Sequence, residues 1–127
     1  MCGIFFYSKG EIKIDDQFVL KNLRHRGPDF KKVIHFEESV IGHTLLSIRE
    51  EIDLSIQPVV SRNSRYIISF NGQIYNVQEL IKKFGLKKDI KLDTKIILEL
   101  FEILGLDAIK ELKGMFAILV YDKLKKI

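Results

Sequence analysis

Cys2 is the only cysteine in this 127-residue chain and stands directly behind Met1. Removal of Met1, which the small Cys2 side chain favours, would leave a thiol and a free α-amine on one residue. A cysteine is a strong nucleophile only as thiolate, and an α-amine with a reference pKa of about 7.7 to 8.0 can accept a proton near neutrality. One residue would then supply both nucleophile and general base. While Met1 is attached the same nitrogen is an amide with no usable basic lone pair, so the chemistry waits on processing. Position alone also fits an inert role. Free cysteine commonly behaves as a small buried hydrophobe, and Gly3-Ile4-Phe5-Phe6-Tyr7 has the composition of a buried strand.

Further motifs follow in a fixed order: Arg24-His25-Arg26-Gly27-Pro28-Asp29, Gly42-His43-Thr44-Leu45-Leu46-Ser47-Ile48, Gln57-Pro58, Phe70-Asn71-Gly72-Gln73-Ile74-Tyr75-Asn76, Leu92-Asp93-Thr94 and Gly114-Met115-Phe116-Ala117. With Cys2 they resemble the class II glutamine amidotransferase domain, in the form found at the N-terminus of asparagine synthetases, from Met1 to about Asp122. The resemblance implies an α+β N-terminal-nucleophile hydrolase built as a four-layer α-β-β-α sandwich. It implies that Cys2 attacks the side-chain amide of glutamine, forms a thioester and releases ammonia to an ATP-dependent synthetase domain or subunit. It assigns the developing oxyanion to the Asn71 side-chain amide and the Gly72 N–H, and a preorganised donor of that kind is worth about 2.7 to 4 kcal/mol. Locally, Asn71-Gly72 is also a hairpin-turn signal. By the same resemblance Ser47, Ile48 and Asp93 contact the substrate, Asp93 through its ammonium group, and Arg26 and Asp29 border the pocket.

Two positions depart from the family. Where the resemblance implies an arginine that clamps the α-carboxylate of glutamine, this chain has Leu45, and where it implies a glutamate beside the ammonium, this chain has Gln73. Truncating one partner of a buried charge pair costs about 2 to 5 kcal/mol, so losing the arginine alone would weaken glutamine binding roughly thirty-fold to several thousand-fold. Arg49 is a conceivable replacement, but four residues along a strand is about 13 Å, so the chain would have to bend. Reaction machinery is thus expected beside an altered substrate clamp. The domain is either a glutaminase, weakened or acting on an amide that lacks glutamine's full pair of charges, or a catalytically silent scaffold kept for contact with a partner.

The histidines suggest a rival Cys-His mechanism, but His25, His35 and His43 read better as structural hydrogen-bonding residues. No Cys-x-x-Cys or His-Glu-x-x-His spacing points to a metal, and Ser47 lacks a Gly-x-Ser-x-Gly setting. No cofactor is expected in this domain, since ATP and magnesium would belong to an absent synthetase domain. The net charge of +4 comes from scattered lysine pairs such as Lys31-Lys32 and Lys82-Lys83, without the basic and aromatic interleaving of a nucleic-acid surface. No apolar run reaches the roughly 18 residues of a membrane span, and the first residues lack the cationic and apolar regions of a secretory signal, so neither a span nor a signal is expected. A single domain is expected, residues 1–127, cytoplasmic, with a thiol kept reduced. A homo-oligomer is compatible with the sequence and nothing in it requires one.

Alternating elements must position these residues. Gly3 to Ser8 is an apolar strand, and Asp15 or Asp16 caps a helix whose Val19, Leu20 and Leu23 share a face. Gly27-Pro28 forces a loop; Val33 to Phe36 and Val40 to Ile48 form strands; Arg62-Asn63-Ser64 turns into a strand over Tyr66 to Phe70. Asn76 and Glu79 form a capping box for a helix through Phe84, closed by Gly85. Asp93 caps a helix carrying Ile96, Ile97, Leu100, Phe101 and Leu104, stopped by Gly105. Asp107 caps a short helix, and Met115 to Val120 reads as a fully buried strand whose continuation in the family is missing here. An open sheet edge is the expected consequence.

Overall fold

A computed structural model describes residues 1–10, 14–47, 56–87 and 92–127. Strands β1 (Gly3–Ser8), β2 (Phe30–Phe36) and β3 (Ser39–Leu45) form one antiparallel sheet in the order β1-β3-β2. Strands β4 (Val59–Val60), β5 (Tyr66–Ile74) and β6 (Gly114–Asp122) form a second antiparallel sheet in the order β4-β5-β6. Helix α1 (Asp16–Leu23) accompanies the first sheet, and α2 (Val77–Phe84), α3 (Asp93–Leu104), a 3-10 turn (Gly105–Asp107) and α4 (Ala108–Glu111) accompany the second. The expected α+β class is what the chain adopts. Among the described residues, no helix is long and apolar enough to cross a membrane.

The period-two alternation of β5 builds two apolar layers at once. Tyr66, Ile68, Phe70 and Ile74 face the helices, where Leu80, Ile97, Leu100 and Phe101 bury them. Ile67, between them, turns the other way and meets Ile41 and Tyr121, with Ile34, Phe36 and Leu119 packed around. Phe36 and Tyr121 place their rings 4.4 Å apart, so the two sheets touch face to face. On the outer side of the first sheet, Thr44 donates its hydroxyl to the Leu23 carbonyl at 3.3 Å and accepts from Gly3 N–H at 3.2 Å. Asp16, at the start of α1, accepts from Tyr7 O–H and lies 2.8 Å from His35 Nε2. At the far end of the second sheet Arg65 grips the buried Asp122 in a two-pronged pair, Nε to Oδ1 at 3.0 Å and Nη2 to Oδ2 at 2.6 Å, holding that carboxyl below its ordinary range.

Several local signals resolve differently from expectation. Asp15 does cap α1, accepting from Gln17 N–H at 2.9 Å. Asn76 makes no capping bond; its amide instead donates to the Glu111 carbonyl and accepts from Lys113 N–H, both at 2.9 Å, while Glu79 pairs with Lys113. Leu92 occupies the cap position of α3, and Asp93 is the first helical residue, its Oδ2 accepting from Ile74 N–H at 2.9 Å. Asp107 pairs with Lys110 rather than with a backbone donor. For Asn76 and Asp93 a segment distant in sequence supplies the partner, whereas Asp107 takes a cation one turn along its own helix.

Asn71-Gly72 is no turn at all: β5 runs through it to Ile74 and stays paired with β6. Gly72 has φ +154°, and a Cβ there would lie 2.3 Å from the Met115 carbonyl oxygen and 2.5 Å from Phe116 Cα. Glycine is needed both for that conformation and for the close passage of β6. The strand from Met115 is also not fully buried. Met115 is 73% exposed, because Met115 and Ala117 share the inter-sheet face but border an open cavity, whereas Leu119 and Tyr121 further along are covered. β3 ends at Leu45, and Ile48, expected at the end of that strand, lies outside the described residues.

One polar pair lies inside the inter-sheet layer. His43 Nδ1 is 2.9 Å from Ser69 Oγ, both residues are buried, and His43 Nε2 has no partner among the described residues. Burial pushes the His43 pKa down from 6.5 to about 4. Between those values the unfolded chain binds more protons than the folded one, so stability is full above pH 6.5 and falls on acidification towards pH 4. The expected loss is on the order of 3 kcal/mol, read as the change in urea midpoint across that range, and His43→Gln should flatten this part of the profile. Gly72→Ala should lower the thermal midpoint, with a cost of about 1 to 3 kcal/mol from the enforced left-sided φ alone.

Candidate active site

The register of the strands decides what meets at the open end of the inter-sheet layer. Gly3 pairs with Thr44 and Phe30 with Leu45, so Cys2, one residue before β1, stands across from Leu45. On the facing sheet Asn71 and Gln73 point the same way as Ile67 by strand alternation. Between them lies a cavity of about 650 Å³ whose wall includes Cys2, Leu45, Ser47, Asn71, Gly72, Gln73 and Asp93. Of the residues proposed from the sequence, these seven come together. Arg26 is not in the wall. It stands behind Cys2, donating from Nε to the Cys2 carbonyl at 3.2 Å. Ile48 and Arg49 lie outside the described residues.

Cys2 N–H donates to Asn71 Oδ1 at 2.9 Å, across a separation of 69 residues in sequence. A backbone N–H can only donate, so this bond assigns the oxygen of the Asn71 amide to Cys2 and leaves its NH2 as a donor. The Cys2 Sγ lies 4.0 Å from the Leu46 carbonyl oxygen. Asp29 braces the loop beneath: its N–H donates to the Leu45 carbonyl at 3.0 Å and its Oδ2 accepts from Ser47 N–H at 2.7 Å. Gly27 permits this approach, since a Cβ there would lie 2.3 Å from the Thr44 carbonyl. Asp93 reaches the wall from the first turn of α3, tied through one oxygen to Ile74 N–H.

Further wall residues carried no functional role in the sequence reading. Gln57 is buried, and its Oε1 accepts from Phe70 N–H at 2.7 Å, fixing the strand one residue before Asn71. Leu46, Phe70, Leu92, Met115, Phe116 and Ala117 lie on the apolar side, and Tyr75 and Thr94 add hydroxyl groups. Most of them belong to recognisable motifs, but only the contact between β5, β6 and the start of α3 shows that they share a wall. None of the three histidines lines the cavity: His25 Nδ1 meets the Asn22 carbonyl at 2.8 Å, His35 meets Asp16, and His43 sits deeper with Ser69. A second hollow, about 720 Å³, between α1 and β2 is lined by Lys21, Arg24, Phe30 and Lys31 and contains neither Cys2 nor Asn71.

Comparison with known proteins shows the family of the chain. The glutamine amidotransferase domain family matches residues 1–127. Asparagine synthetase B (glutamine-hydrolyzing) of Escherichia coli is 31% identical over 134 residues, covering 98% of this chain and 24% of that protein. Asparagine synthetase (glutamine-hydrolyzing) 1 of Bacillus subtilis is 34% identical over 133 residues, covering 97% of this chain and 21% of that protein. The chain thus spans about a quarter of the length of the curated relatives it matches. With its cysteine, its asparagine and its acidic wall residue gathered at one cavity, the chain belongs to the glutamine amidotransferase domain family, of the class II type found in asparagine synthetases.

Proposed function

We propose that this chain is a glutaminase domain that hydrolyses a side-chain amide through Cys2 and supplies ammonia to an ATP-dependent synthetase domain or subunit. The observation that carries this is the 2.9 Å bond from the Cys2 nitrogen to Asn71 Oδ1. Once Met1 is removed, the same contact orients an amine, and the lone pair that the amide lacked takes the thiol proton. The thiolate attacks the amide carbonyl, and the Asn71 NH2 together with the Gly72 N–H receives the oxyanion. Collapse breaks the C–N bond, the amine returns its proton to the leaving ammonia, and water then hydrolyses the thioester to acid and free thiol. Asp93 takes the substrate's ammonium group, Gln73 and Ser47 flank it, and Arg26 positions the nucleophile through the Cys2 carbonyl.

The same proposal takes residues 1–127 as part of one amidotransferase domain. Its two facing sheets, with helices beyond each, are the inner and outer layers of an α-β-β-α sandwich. The domain itself needs no cofactor, ATP and magnesium being used by the synthetase, and it works in the cytoplasm, where the thiol stays reduced. One observation favours a second reading, a silent scaffold: Leu45, which stands where the resemblance implies a cation, lines the cavity and is only 4% exposed.

Intact-mass spectra before and after treatment with a glutamine-like electrophile separate the two. The glutaminase predicts loss of Met1 and a single adduct that Cys2→Ala abolishes; retained Met1 favours the scaffold, and loss of Met1 with no adduct implicates Leu45 and Gln73 in a changed or closed pocket. In an ammonia-release assay Cys2→Ala should be inactive, and Asn71→Ala should lower kcat by about 10² to 10³-fold, the usual cost of one oxyanion donor.

A further inference from the structure

The cavity wall carries one kind of charge. Among its described residues Asp93 is the only carboxylate, Cys2 and Tyr75 are the other ionisable side chains, and no lysine, arginine or histidine lines it. Ser47 N–H, in the wall, is already engaged by Asp29 at 2.7 Å, and Ile74 N–H, between the wall residues Gln73 and Tyr75, by Asp93 itself at 2.9 Å. Leu45 and Leu46 form the wall beside Cys2, with Phe70, Leu92 and Phe116 opposite or adjacent. A ligand entering here meets an acceptor for a cation, amide groups from Asn71, Gln57 and Gln73, the neutral hydroxyls of Ser47, Tyr75 and Thr94, and apolar side chains. A carboxylate would be desolvated against leucines and near the Asp93 carboxylate, with no cation in the described wall to offset either effect.

Resting on the glutaminase reading of the same site, we infer that the preferred substrate is a primary carboxamide that carries an ammonium group but no free carboxylate. Chemically this is glutamine whose α-carboxyl is amidated or joined in a peptide bond, as in glutamine α-amide or the N-terminal glutamine of a peptide. Asp93 pairs with the free α-ammonium, the side-chain amide faces Cys2 and Asn71, and the blocked carboxyl lies along Leu45 towards the exposed Tyr75 and Met115 at the rim. The reaction consumes one water: the Cys2 thiolate displaces ammonia from the side-chain carbonyl, and water releases the glutamyl product and the thiol.

The test measures binding and turnover separately. Calorimetric titration of Cys2→Ala lacking Met1 compares L-glutamine, L-glutamine α-amide, the dipeptide Gln-Gly, and glutaramide, which lacks both charged groups. The inference expects the α-amide, the dipeptide or both to bind at least tenfold tighter than glutamine, and glutaramide to bind more weakly than the α-amide. The α-amide and dipeptide arms distinguish a small-molecule source from a peptide terminus. Glutamine binding as tightly as its α-amide, or no binding by any of the four, overturns the inference. Ammonia release by the processed wild-type protein tests the underlying reading: turnover with glutamine preferred leaves the glutaminase standing and rejects the substrate class. The expected binding order without any turnover does the reverse.

Discussion

The face-to-face packing of two antiparallel sheets is the constraint on which the rest of this molecule depends. Ile41 from one sheet and Ile67 and Tyr121 from the other fill the layer between them. Because side chains alternate along a strand, fixing those contacts also fixes which residues two and four positions further on must face each other. Along β5 the inward series runs Ile67, Ser69, Asn71, Gln73, and along β3 it runs Ile41, His43, Leu45. The first pairs are apolar, the next is the His43–Ser69 hydrogen bond, and the last opens into the cavity. A slip of one residue in β5 would turn Asn71 into the helical core and bring Gly72 to the cysteine.

This layer tolerates a polar pair whose second imidazole nitrogen has no described partner, and it does so at a cost that burial makes visible in the depressed His43 pKa. The pair bridges the two sheets immediately behind the site. It sets their separation where Cys2 N–H must reach Asn71 Oδ1. Supporting contacts reach the same point from outside: Arg26 holds the Cys2 carbonyl, Asp29 braces Leu45 and Ser47, and Gln57 braces Phe70. The reacting groups are thus held by regular strands and their braces, which gives better positional control than a free loop.

Much of the architecture was legible in the residues. Gly3–Ser8, the helix capped by Asp15, the long apolar helix from Asp93 and the strand through Ile67 lie where pattern placed them, because hydrophobic periodicity reports burial directly. The failures share a cause. Asn76 and Asp93 carry side chains suited to helix caps, yet Asn76 bonds Glu111 and Lys113 and Asp93 bonds Ile74. Asn71-Gly72 carries a turn signal yet continues a strand, because β6 supplies partners as far as Ile74. A short polar side chain advertises its capacity to hydrogen-bond, but which partner takes it depends on what the fold brings near.

The sequence by itself determined the chemistry available: one cysteine behind Met1, an asparagine-glycine pair, an aspartate at a helix start, and the order of motifs that marks the family. It also determined that leucine and glutamine stand at positions 45 and 73, because residue type is a local fact. Tertiary structure alone decided that Cys2 and Asn71, 69 residues apart, share a hydrogen bond, that Arg26 stands behind the nucleophile, and that Asp93 is the lone carboxylate in the described cavity wall. These are relations between distant segments. Periodicity along one strand specifies which face a side chain takes, but the residue it meets there is set by register and by the packing of one sheet on another.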